Sequence, residues 1–125
     1  MKKIGEFYQS GDWKGEKHVP VIHAPESVKA DEYVELKVLI GEEIAHPNTL
    51  EHYIGWIKVY FVAEGSKFPV EIGTYDFSAH GENQLYTDAY VVTRFKTEKS
   101  GTIFATSYCN IHGIWENSVE LKVEG

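Results

Sequence analysis

A chain of 125 residues with 12 Lys and Arg against 19 Asp and Glu, a formal charge of −7, bounds one domain, 1–125, and excludes a general nucleic-acid or membrane-surface binder, which needs clustered cations. A single cysteine excludes an intrachain disulfide framework and any four-cysteine metal site. Two lysines near the amino terminus have no apolar stretch behind them, and no window approaches the ~20 apolar residues of a spanning helix, so the expected location is the cytoplasm, where a lone thiol stays reduced.

Along the chain, residues 4–9 allow one helical turn, and 18–23 read as a short first strand ended near Pro25. In 33–40, Val34, Leu36, Val38 and Ile40 share one face while Glu35 and Lys37 share the other, the period of a half-buried strand. The run 54–62 is rich in β-branched and aromatic residues, with Ile57, Val59 and Phe61 alternating against Lys58 and Tyr60. Further strand-like runs are 68–77, 89–96, 102–108 and 118–123; Pro69 puts the first of these at a strand start or a sheet edge. Turn chemistry separates the runs at Gly41-Glu42-Glu43, Glu64-Gly65-Ser66, Gly81-Glu82-Asn83 and Lys99-Ser100-Gly101. The pattern predicts an all-β, antiparallel sandwich of about seven strands. Trp56, Tyr60 and Phe61 read as exposed aromatics of a subunit interface.

Four of the six histidines and the only cysteine fall in loops or at strand ends, where a scaffold mounts chemistry. His18 opens the first strand, just before the Val19-Pro20-Val21-Ile22 run, His46 and His52 flank a loop, and Cys109 and His112 form Cys-Asn-Ile-His after a strand. Each motif alone is weak, since a small buried thiol or a surface imidazole is commonplace. Together they offer one thiolate and four imidazoles, which suits a transition metal. Structural zinc closes its shell with four ligands. A blue-copper site wants an axial Met, and the only methionine is Met1. Iron with four imidazoles and a thiolate would keep one of six positions open for a small molecule. A mononuclear copper or iron electron-transfer protein without turnover stands as the alternative, and a zinc-stabilised module as a further one. His23 and His80 read as structural or solvent-facing. Glu42, Glu43 and Glu51 could accept ring N–H groups, although a solvated turn is the simpler role for the first two.

Three segments carry a resemblance. Gly-Glu-Lys-His-Val-Pro-Val-Ile at 15–22, His-Pro-Asn-Thr-Leu-Glu-His at 46–52 and Ser-Tyr-Cys-Asn-Ile-His-Gly-Ile-Trp-Glu at 107–116 resemble the motifs of superoxide reductases, most closely the one-iron neelaredoxin type. The likeness spans nearly the whole chain and implies an immunoglobulin-like β-sandwich. It implies one iron ion, Fe2+ or Fe3+, held by His18, His46, His52 and His112 with Cys109 as axial thiolate. It also implies Glu16 as sixth ligand of the oxidised resting state and Lys17 as the catalytic cation. The implied reaction reduces superoxide to hydrogen peroxide with an electron from a rubredoxin-like carrier, in a homo-oligomer, a tetramer by family habit. The N-terminal four-cysteine domain of two-iron members is expected to be absent. Ala45 stands where a proline is common, Leu50 where a threonine is, and Tyr53 where a histidine is; the segment 81–88 is shorter than usual. None of these removes a ligand. Backbone N–H groups at Ile111 and His112 are expected to bond the Cys109 sulfur. Lys17 would provide the local positive field that an anionic substrate needs on an acidic protein.

Overall fold

Eight strands in two sheets form the computed structural model, which describes residues 1–125. Strands β1 (Pro20–His23), β3 (Val34–Ile40) and β6 (Tyr90–Phe95) make a three-stranded antiparallel sheet in the order β1–β3–β6. Strands β2 (Ser27–Lys29), β4 (Ile54–Ala63), β5 (Val70–Asp76), β7 (Gly101–Cys109) and β8 (Gly113–Glu124) make the second, ordered β2–β8–β7–β4–β5. This is the sandwich that alternation predicts, with one strand more than expected. The extra one is β2, three residues paired in parallel with the end of β8. No helix is long and apolar enough to cross a membrane.

Period-two patterning decides which side chains are inside. In β3, Val34, Leu36, Val38 and Ile40 are buried while Glu35 points out. In β7 the buried positions Ile103, Ala105, Ser107 and Cys109 run in the same phase to the strand's last residue. β4 changes phase. Its pairing with β7 slips at Gly55, between Ile54 and Trp56, so Ile54 and Ile57 both face inward despite opposite parity. Fourteen buried residues from both sheets form one core, each large aliphatic side chain contributing about 1.5–3 kcal/mol by its removal from water.

The start of the last strand and the placement of Phe61 differ from what the sequence predicts. β8 begins at Gly113, well before residue 118, because its first half pairs with β7 up to Cys109. Pro69 precedes β5, which lies at the sheet edge, as its missing N–H requires. Phe61 belongs to the core and not to an outer aromatic surface: it follows Ile57 and Val59 in phase and packs against Phe95. Trp56 and Tyr60 do lie on the outer face, where Trp56 stacks on Tyr108. The helical turn near the amino terminus is a 3-10 turn, Ile4–Phe7. Beyond it Gln9 bridges to Trp115, tying this segment to β8.

The start of β4, the end of β7 and the start of β8 meet at one end of the five-stranded sheet. The residues before β1 and the loop 41–53 close over that end.

Candidate metal centre

Strand phase delivers Cys109. As the final inward position of β7, its side chain enters the sandwich interior and is fully buried. The chain then reverses within three residues, so that Cys109 pairs with Gly113. Gly113 makes the reversal with φ +82°, a left-handed conformation that costs other residues about 1–2 kcal/mol. The tight return brings the His112 N–H to the sulfur at 3.4 Å and His112 Nδ1 to 3.7 Å from it. Of the two backbone donors expected at the sulfur, only that of His112 makes the bond.

His18 is anchored where the chain enters β1: its carbonyl accepts from the buried Ser107 hydroxyl at 3.2 Å. His46 and His52 come from the loop between β3 and β4. That loop opens on Gly41, φ +87°, where a Cβ would lie 2.6 Å from the His46 nitrogen. It closes on a turn in which the Thr49 hydroxyl and carbonyl accept from the His52 N–H. Asn110 clamps this loop to the Cys109 reversal: its Oδ1 accepts from the Tyr53 N–H at 2.8 Å and its Nδ2 donates to the Glu51 carbonyl at 2.9 Å.

One donor atom from each of His18, His46, His52 and Cys109 lies within 4.8 Å of all the others. His112 joins them, its Nδ1 3.1 Å from His18 Nε2. All five predicted histidine and cysteine donors therefore converge from three separate segments. Hydrogen bonds select the tautomers. His18 Nδ1 lies 2.6 Å from Glu16 Oε1 and His46 Nδ1 lies 2.7 Å from the Pro47 carbonyl. Each Nδ1 therefore donates outward, which leaves the Nε2 lone pair facing the cluster.

Burial disfavours the charged form of two of the rings. Burial pushes the His46 ring down to about 4, with the charges of His18, His52 and Lys17 adding to the effect and the Pro47 carbonyl opposing it. Burial also lowers His52, followed by His112, His18 and Lys17. Neutral imidazoles are the form a metal binds. The Glu16 carboxyl is held below its usual range, first by the hydrogen bond from the His18 ring.

His46 Nε2 and His52 Nε2 are buried and have no hydrogen-bond partner. An unpaired buried polar group costs about 1–3 kcal/mol, so two in one cluster call for a common partner. A cation among the five donors would satisfy both, and a thiol with imidazoles suits a transition metal such as iron.

Glu16 stands on the outer nitrogen of His18 and is not among the converging donors. Lys17 is half-buried and forms no ion pair, and its charge is felt at both His46 and His52. His23 binds Glu42 through Nε2 at 2.8 Å, away from the cluster, and His80 is buried in a separate network. Neither Glu42 nor Glu43 nor the Glu51 carboxylate holds a ligand ring; Glu16 and the Pro47 carbonyl do. Trp115 is a further residue of the site, one that residue type and spacing do not mark. On β8 it lies opposite Ser107, stacks on the His18 ring at 4.8 Å and 16°, and donates its indole N–H to the His112 carbonyl at 3.1 Å. Its position two residues after Gly113, on the Cys109 side of the sheet, was the available signal.

Residues 10–118 match the desulfoferrodoxin family. A superoxide reductase of Pyrococcus furiosus is 48% identical over 95% of this chain and 99% of its own length. The solved structure of a Thermotoga maritima protein proposed to be a superoxide reductase superimposes with a TM-score of 0.97 at 49% identity, covering all of both chains. The reduced superoxide reductase (neelaredoxin) of Archaeoglobus fulgidus gives 0.85 at 48% identity over 93% of this chain and 98% of its own.

Proposed function

The chain belongs to the desulfoferrodoxin family, and from that membership and the five converging donors we infer that it is a superoxide reductase of the one-iron, neelaredoxin type. The enzyme takes superoxide, one electron and two protons to hydrogen peroxide, with one iron ion as cofactor. The orphaned nitrogens of His46 and His52 beside the Cys109 thiol are the observation that carries this reading.

His18, His46, His52, His112 and Cys109 would hold the iron, and residues 1–125 would act as one catalytic domain. When bound, iron supplies the transferable electron, passing between its ferrous and ferric states. The protein does the rest. The Glu16 carboxylate and the Pro47 carbonyl fix the rings of His18 and His46 with their lone pairs inward. The His112 N–H at the Cys109 sulfur stabilises the thiolate, the state that donates electron density. Lys17, whose charge is felt at His46 and His52, focuses the anionic substrate against a net charge of −7 and can order a proton-donating water. Glu16 would cap the oxidised resting site, which requires it to release the His18 ring.

With one cysteine and one donor cluster in the chain, the electron comes from an external carrier, of rubredoxin type by the family resemblance. The half-buried aromatics Trp56 and Tyr60 on the outer sheet face are the candidate contact of a homo-oligomer, a tetramer by the family resemblance; a lone thiol fits the cytoplasm, and removal of superoxide would make the role antioxidant. Metal analysis with the visible spectrum and a superoxide assay tests the reading. Iron, a ferric–thiolate band and superoxide-dependent oxidation of an added donor support it. Zinc or copper content without superoxide consumption refutes it in favour of a non-catalytic metal protein.

A further inference from the structure

His80 lies outside the donor cluster yet is 5% exposed, among the most buried polar residues of the chain. It sits in the connection between β5 and β6, bridged to Tyr86. Its ring has three partners. Nδ1 is 2.9 Å from Asn48 Oδ1, Nε2 is 2.7 Å from the Phe77 carbonyl, and the ring face stacks on Tyr53 at 3.9 Å and 11°. Asn48 and Tyr53 both belong to the loop that carries His46 and His52, one inside the pair and one just after it.

Both ring nitrogens therefore face oxygen acceptors. The orientation of Asn48 is set independently, because its Nδ2 donates to the Thr87 carbonyl at 2.9 Å. Reversing the amide would press Oδ1 against that carbonyl, two acceptors in contact, and leave the carbonyl without a donor. A neutral imidazole has one N–H and can satisfy only one of Asn48 and Phe77. A ring with hydrogen on both nitrogens satisfies both, as charge-assisted bonds, with the Tyr53 face beneath it. A carboxylate is at hand: Glu82 Oε1 accepts from the His80 backbone N–H at 2.6 Å.

We propose that His80 is a doubly protonated positioning residue that locks the loop between His46 and His52 onto the 77–88 segment. The effect on metal binding rests on the reading of His46 and His52 as ligands; the placement of hydrogens rests on the hydrogen-bond geometry alone. Removing a group that orients ligands typically costs 10–100-fold in metal affinity.

Neutron diffraction from deuterium-exchanged holoprotein separates the two parts. Deuterium on both Nδ1 and Nε2 of His80 is expected; deuterium on Nε2 alone, with Asn48 reversed, overturns the proposal whatever the metal. His80→Phe keeps an aromatic face on Tyr53 and removes both donors. Chelator competition should then show iron bound about 10-fold or more weakly, with a shifted ferric–thiolate band. Asn48→Ala cuts the same link from the loop side and should reproduce both changes. Native affinity and an unshifted band in either variant would overturn the positioning role, even if thermal stability falls.

Discussion

Cys109 is where strand geometry becomes chemistry, since its phase in β7 alone aims the thiol at the histidines. Cys109→Ser keeps the size and loses the soft, charge-donating ligand. The oxidised variant should lack the thiolate-to-iron(III) colour, and an unchanged visible spectrum would remove Cys109 from the site. Asn110→Ala severs two hydrogen bonds between the ligand loop and the Cys109 reversal. At about 0.5–1.5 kcal/mol each, the expected loss is ~1–3 kcal/mol, read as a fall of several degrees in Tm. At this scale the donors were legible, because His and Cys announce themselves by type and placement. Their supports were not. Pro47 acts through its carbonyl, which no side chain advertises, and Trp115 acts by facing His18 across the sheet edge. Glu16 was singled out by the family resemblance as a sixth ligand, and its hydrogen bond to the His18 ring was not legible.

Among the elements, strands with strict alternation were legible and those without it were not. β3, β4 and β7 show period two because one face meets the core and the other meets water. β2 is too short to show a period and is defined by parallel pairing to β8. The first half of β8 is half-buried on both faces, packed against the site and the Gln9 segment, so no alternation marks it. The bulge at Gly55 hides Ile54 from a simple parity count. The loop between β3 and β4 depends on a glycine at its entrance. Gly41→Ala would force a left-handed residue and drive a Cβ to 2.6 Å from the His46 nitrogen. We expect a loss of at least ~1–2 kcal/mol together with weaker iron retention. A variant of native Tm and native iron content would show that the loop tolerates the contact.

For the molecule as a whole, the balance is between a net charge of −7 and the one lysine, Lys17, whose charge reaches His46 and His52. Lys17→Ala should slow the reaction with superoxide, most steeply at low ionic strength where steering is least screened. Pulse-radiolysis rates that match the parent at every salt concentration would assign Lys17 another role. The sandwich folds around two buried ring nitrogens, of His46 and His52, that lack partners, so iron should stabilise it by mass action. Chelation should lower Tm in proportion to the logarithm of free iron, and an unchanged Tm would mean that the cluster does not bind metal in the folded state. The most direct measurement of the central claim is product stoichiometry with an excess of electron donor. Superoxide reduction at this site predicts one peroxide formed and one electron consumed for every superoxide, with no dioxygen released. Dioxygen in equal amount to peroxide, with the donor untouched, would contradict it.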